Sequence, residues 1–542
     1  MPDASPYPQV RRIAQVAADL GLDPDEILPH GHYIAKVPID ELTRRADQPD
    51  GRLVLVTAMT PTPQGEGKTT AAIGLTDALR RCGHKAGLCL REPSLGPYFG
   101  VKGGGTGAGR AQLFPAEDIN LHFVGDMYSV SKANNLLACM VDNHLQWGNA
   151  LNIDPRRIVL RRVIDLNDRA LREIFVGLGG VLHGVPRRDG FMITPACEVM
   201  AMLCLAQDYA DLGRRLAATV VGFTYDGRPI RAADLGAHGA MQVLLRDAIH
   251  PNLVQTLEGS PAFVHAGPFA SIAQGTNTAI ATRMALKLCD YVVTEAGFAS
   301  DLGAEKFINI KCRSAGLQPS VAVVVATAKA IAYHGGRKPN GGFANLARHL
   351  ANVRSYGLSP VVALSRFPED RDQDLAEIIA FCAEQGAPAV ICTHFDEGGA
   401  GAMDLAQAVV AADAAHQGPI RFTYPLDMPL VDKIRTVATT LYGAADISLD
   451  KAARQDLTMI EANGFGSLPI CIAKTSRSLS DDSTRRGTPQ GFTLHINELR
   501  LCAGAGFVVA IAGNIMTMPG LPREPAAARI RVDDQGRVSG LT

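Results

Sequence analysis

Residues 53–81 constrain the fold of this chain more than any other stretch. They read as an apolar run, a tight turn rich in glycine and proline, and a helix. Leu53 to Met59 is apolar and rich in β-branched residues, so it is predicted to form a buried strand. Residues 60–67 hold Pro61, Pro63, Gly65 and Gly67 and show no apolar period, which predicts a tight loop. Ala71 to Arg81 then reads as a helix that stops at Gly83. A strand, a loop closing on Gly67-Lys68-Thr69 and a helix together build a phosphate cradle. Glycines let backbone N–H groups approach an anion, and the helix N-terminus adds partial positive charge. Lys68 is suited to the outer phosphates, and the Thr69 hydroxyl is suited to Mg²⁺. The usual P-loop begins with glycine where this chain has Thr62; the strand before and the helix after supply the context for nucleotide binding.

A chain of 542 residues exceeds one hydrophobic core and predicts two to four domains. Lys and Arg total 53 against 54 Asp and Glu, so no electrostatic footprint for nucleic acid or an anionic membrane exists. No apolar run is long enough to span a bilayer, and the start has no basic-then-apolar signal. The eleven cysteines include no Cys-x-x-Cys pair, and most sit in apolar segments. Buried, reduced thiols in a soluble cytoplasmic protein are the expectation.

Beyond the loop, Lys85 to Arg91 reads as a second strand, with Arg91 and Glu92 at its carboxyl end, where open α/β sheets place ligands. Gly100 to Gly109 is too rich in glycine for a regular element; one βα unit after the first loop, it is expected to wrap a ligand. Strand-like runs at Ile158–Leu160, Ala218–Gly222, Ala262–His265, Tyr291–Glu295 and Val321–Ala326 alternate with helical stretches such as Ala133–Asn143 and Cys197–Leu212. The fold class expected is α/β, with a mainly parallel sheet. A second α/β unit starts near Gly341, and the texture changes again past Leu449, where Lys474 to Gly491 reads as polar loop. The expected division is a nucleotide domain over 1–340, a small α/β domain over 341–448 and a C-terminal α/β domain over 449–542.

The stretch TPTPQGEGKTT resembles the nucleotide loop of the formate–tetrahydrofolate ligase family, as do REPSLGPYFGVKGGG, EDINLHFVGD, VVTEAGFASDLGAEKF and MTMPGLPREPAA. The resemblance runs from about Ile13 to the C-terminus. It implies ATP-dependent joining of formate to tetrahydrofolate through formyl phosphate, in a homotetramer. It implies that Thr62, Pro63, Gln64, Gly65, Glu66, Gly67, Lys68 and Thr69 hold ATP with Mg²⁺. Arg91 matches the family's carboxylate and formyl-phosphate arginine, and Ala270, Gly297 and Phe298 match positions around the formyl phosphate. Glu92 and Asp126 match the acidic ligands of an activating monovalent cation, K⁺ or NH₄⁺; structural carboxylates paired with Arg91 are the alternative. Phe367 and Phe395, with Phe298, match the folate side.

Several positions depart from the family pattern. Phe395 stands where Trp is common, Gln274 and Thr276 where His and Cys are usual, and Arg477 where Tyr is usual. The nucleotide positions are kept while their surroundings have drifted. The sequence therefore leaves open a relative that activates another small acid or uses another amine acceptor. A P-loop binding protein without catalysis is the other alternative.

Overall fold

The computed structural model describes residues 9–100, 104–336 and 341–540. The apolar run forms strand β1 (Arg52–Ala58), the helix behind its glycine loop is α1 (Lys68–Arg81), and β2 (Ala86–Leu90) follows. Further along come α2 (Asp126–Gln146), β3 (Asn252–Thr256), β4 (Pro261–Val264), α3 (Ala279–Leu288), β5 (Tyr291–Glu295) and β6 (Pro319–Ala326). Then come α4 (Ala328–Gly335), α5 (Gly341–Ser355), β7 (Ser359–Ser365), α6 (Asp372–Glu384), β8 (Ala389–Cys392) and α7 (Met403–Ala414).

These strands belong to one large sheet ordered β3–β4–β2–β5–β1–β6–β7–β8. Every neighbouring pair from β4 to β8 is parallel. The strand β3, which has no counterpart among the predicted runs, pairs antiparallel with β4. Its residues Asn252, Gln255 and Thr256 are polar yet buried, which hid it from a hydrophobic reading. Along β1 the side chains alternate between the two faces. Leu53 and Leu55 join the core that includes Met284 of α3 and Leu350 of α5. Val54, Val56 and Ala58 join the core that includes Leu75 of α1 and Leu405 of α7. A strand covered by helices on both faces reads as a continuous apolar run, and β1 does so for that reason.

One expectation about organisation changes. The runs near Ile158 and Val220 lie outside the large sheet; Ile153–Ile158, Val220–Thr224 and Pro229–Arg231 make a small antiparallel sheet of their own. Local pattern identifies a strand, but not which sheet it joins. The strands β7 and β8 extend the sheet that holds β1, so sheet pairing continues past residue 341. A second sheet, in the order Asp446–Leu449, Thr493–Cys502, Phe507–Ala512, Ile470–Ala473, lies near the C-terminus, and its Ile447, Ile470 and Leu494 share a core with the large sheet. Lys474–Gly491 is loop, as its polar composition predicts. Its Lys474 is nevertheless fully buried and paired with Asp301 at 2.7 Å. Among the described residues no helix is long and apolar enough to cross a membrane, the cysteines are unpaired, and most are buried.

Candidate active site

Strand order makes the site. From β1 the chain crosses to β2 on one side and later returns to β6, β7 and β8 on the other, while β5 inserts between β1 and β2. Loops that follow β1, β5 and β2 therefore gather at one carboxyl edge, at the point where strand order reverses.

The loop after β1 is anchored from below and open above. The Glu66 carboxylate is buried; it accepts the Thr62 N–H at 2.6 Å and the Thr327 hydroxyl at 2.7 Å. The N–H of Thr60 donates to His349 Nε2 at 2.9 Å. Thr62 is buried, whereas Pro63, Gln64, Gly65 and Gly67 face solvent. Gly67 caps α1 with φ of 69°, a left-handed conformation that favours glycine, and Lys68 opens the helix. Loss of hydration lowers the pKa of Lys68 and nearby Arg91 pushes the same way, while Glu295 and Glu66 oppose them.

Around Arg91 the structure collects residues far apart in sequence. Its Nη1 donates to the Pro268 carbonyl at 3.2 Å, and its Nη2 lies 3.9 Å from Glu295. The expected alternative of a pair with Glu92 or Asp126 is not what forms. A side chain on Gly297 would collide with Ala270 and approach both terminal nitrogens of Arg91 at 3.1 Å, so only glycine leaves the guanidinium its space. Ala270 is held from behind: its carbonyl accepts the buried Lys306 ammonium at 2.7 Å. Phe298, the next residue, is half-buried at φ of 63°, a strained backbone for a non-glycine residue. Arg91, Ala270, Gly297 and Phe298 thus share one corner.

Glu92 and Asp126 are both buried, but they differ in what answers their charge. Asp126 accepts the Lys36 ammonium at 2.9 Å and the Asn252 amide at 2.8 Å. Among the described residues, one oxygen of Glu92 has no hydrogen-bond partner. Burial pushes the Glu92 pKa well up, and the negative charge of Asp126 adds to the rise.

The aromatic pair sits at the other end of the edge. Ser365 of β7 lies level with Cys392 of β8, so the loop carrying Phe367 and the one-turn helix His394–Glu397 carrying Phe395 leave the sheet side by side. Phe367 is 41 % exposed and Phe395 52 % exposed. The described part of the glycine stretch packs here: the Arg110 N–H donates to the Phe395 carbonyl at 2.8 Å, and a Cβ on Gly109 would strike that carbonyl. Val101, Lys102 and Gly103 lie outside the described residues. Of the departures, Gln274 and Thr276 are fully buried and Arg477 is exposed.

Two site residues escape a sequence reading. Lys36 precedes the first long strand in a segment without a motif. Glu295 ends an apolar strand, which was the available signal; it accepts the Thr69 hydroxyl at 2.6 Å.

The fold and this edge define a class: an α/β protein whose parallel sheet carries a glycine loop, a helix N-terminus, a lysine and an arginine at one edge. Comparison with known proteins narrows it. The family model described as formate–tetrahydrofolate ligase matches residues 4–542. Similar chains include formate–tetrahydrofolate ligases of Granulibacter bethesdensis, 55 % identical over 98 % of this chain and 95 % of the relative, and of Paracoccus denitrificans, 56 % identical over 98 % and 97 %. That of Nocardioides sp. is 53 % identical over 98 % of each. The chain belongs to the formate–tetrahydrofolate ligase family and is therefore a ligase.

Proposed function

We propose that this chain joins formate to tetrahydrofolate in two steps, driven by ATP. In the first, a formate oxygen attacks the γ-phosphorus, the bond to ADP breaks, and formyl phosphate forms. In the second, the tetrahydrofolate N10 attacks the formyl carbon, phosphate leaves with the C–O bond pair, the nitrogen loses its proton, and 10-formyltetrahydrofolate results. Formate is a poor electrophile because its charge is delocalised, and phosphorylation creates the leaving group it lacks. The step needs neutralisation of phosphoryl charge and in-line placement of a small carboxylate.

The observation that carries this reading is the meeting of Arg91, Ala270 and Gly297 in one corner, with Glu295 reaching from Arg91 to Thr69 of the nucleotide loop. Residues 62–69 cradle the ATP phosphates, and Lys68 compensates the outer ones. Arg91 holds formate and then formyl phosphate with its planar fork, beside Ala270, Gly297 and Phe298. Mg²⁺ fits the oxygen donors at Thr69 and would neutralise phosphate charge there. A monovalent cation, K⁺ or NH₄⁺, fits the carboxylates of Glu92, one oxygen of which has no partner among the described residues, and Asp126, which also accepts Lys36. Phe367 and Phe395 leave faces free for a pterin. In this reading 1–340 serves nucleotide and formate, 341–448 adds the folate wall, 449–542 is the C-terminal unit, and the protein works as a homotetramer.

The test is formation of 10-formyltetrahydrofolate from ATP, formate and tetrahydrofolate. Product that requires all three supports the proposal. ATP turnover without folate dependence would point to another acceptor, and no turnover would remove the catalytic reading.

A further inference from the structure

We propose that Glu295 is the positioning residue that aligns the nucleotide loop with the formate-holding arginine. The proposal rests on the two-step reading above and adds to it a residue outside the loop and the arginine themselves. Glu295 is the last residue of β5, the strand between β1 and β2, and it lies level with Val56 of β1. It therefore stands where the loops bearing Lys68 and Arg91 emerge on either side.

Its carboxylate is nearly dry, at 8 % exposure, so its charge requires partners. They come from both halves of the site. One oxygen accepts the Thr69 hydroxyl at 2.6 Å, while the other is 3.9 Å from the Arg91 Nη2. Lys68 also feels the charge of Glu295, more strongly than that of Glu66.

These contacts have different consequences. Accepting the Thr69 proton fixes the hydroxyl rotor and leaves the oxygen lone pairs free for a hard cation on the phosphates. At 3.9 Å, Arg91 is steered by charge without a hydrogen bond being made to Glu295, so the pair does not consume the Nη2 N–H groups that a substrate carboxylate would take. A residue whose only role was stability would be better served by a bidentate pair with the arginine. Touching neither substrate, Glu295 works through Thr69 and Arg91.

The variant Glu295→Gln keeps the size and an acceptor for Thr69 but removes the charge. ATP formation from ADP and carbamoyl phosphate, a stand-in for formyl phosphate, reads the first step in reverse. ADP affinity by calorimetry, in Mg²⁺ and in EDTA, reads the loop without turnover. In Glu295→Gln we expect kcat of the partial reaction to fall about 10²-fold. The gain in ADP affinity brought by Mg²⁺ should shrink at least threefold, and the tetrahydrofolate KM of the full reaction should stay within about twofold. Glu295→Asp, which restores the charge, should recover about tenfold of the lost kcat.

The proposal is overturned if Glu295→Gln keeps kcat and the Mg²⁺-dependent gain within threefold of wild type. It is equally overturned if the only change is a lower melting temperature, with kcat per folded molecule unaltered, for that is the signature of a structural ion pair. If wild type makes no ATP from ADP and carbamoyl phosphate, the two-step reading is what fails, and the ADP arms still decide the role of Glu295.

Discussion

The nucleotide end and the aromatic end of the same sheet edge are built in opposite ways. At the first, Thr62 is tied to Glu66, Glu66 to Thr327, Thr69 to Glu295, and Ala270 to Lys306, mostly through buried groups. At the second, Phe367 and Phe395 stand about half exposed, Phe367 in the loop after β7 and Phe395 in a one-turn helix, His394–Glu397, after β8. Under the proposed function the difference follows from what each end would hold. Phosphoryl charge is stabilised by donors whose geometry is set before the reaction, because reorganisation would consume the gain. A flat pterin gains from surface covered, which adjustable rings provide. Damage to the first end should therefore appear in turnover, and damage to the second in substrate affinity.

Lys68→Ala should produce the largest effect. Under the proposed function the charge of Lys68 serves the phosphoryl group, while Glu66 and His349 anchor the loop from beneath. We expect a loss of about 10³-fold in both the full and the partial reaction, with an unchanged melting curve. Near wild-type turnover in the folded variant would break the assignment of this end.

Next in size is Phe395→Ala. Removal of the ring should weaken tetrahydrofolate binding by about 1–2 kcal/mol, roughly tenfold in KM. The partial reaction, which needs no pterin, should survive. Equal loss in both reactions would make Phe395 a packing residue and erase the contrast between the ends.

A smaller effect should come from the medium. K⁺ or NH₄⁺ should lower the formate KM by about threefold relative to a large organic cation, through the Glu92 oxygen that has no partner among the described residues. Glu92→Gln should abolish the difference. If all cations act alike in wild type, the Lys36–Asp126 pair already supplies the charge balance there and Glu92 is structural.

The last prediction concerns stability and should leave turnover untouched. Glu305 is buried one residue before Lys306, with one oxygen unpartnered among the described residues, and burial raises its pKa to about 7. The unfolded chain ionises this group near the usual value of about 4.5, whereas the folded chain keeps its proton until about 7. Stability from this group is thus full below the unfolded value, falls as pH rises through the window, and levels above it. At about 1.4 kcal/mol per unit, the fall is on the order of 3 kcal/mol. Glu305→Gln, which mimics the neutral acid, should flatten that part of the pH–melting profile. An unchanged slope would show that other groups carry it.

Much of this was legible before folding. The run from Leu53 to Thr69 specifies its own strand, loop and helix, because apolar continuity, glycine freedom and the start of a helix are properties of neighbours in sequence. Resemblance extends the reading to Arg91, Gly297 and Phe395. Tertiary structure alone decided which groups answer one another's charge and which strands join. The Lys36 ammonium, 90 residues before Asp126, takes the carboxylate that the sequence offered to a cation. Glu295 finds Thr69 across 226 residues because β5 slots beside β1. The polar strand β3 is buried by its neighbours in the sheet and by no pattern of its own. Local periodicity encodes the shape of a segment and the face it hides. Pairings over such distances depend on sheet order and register, which emerge only when the whole chain has packed.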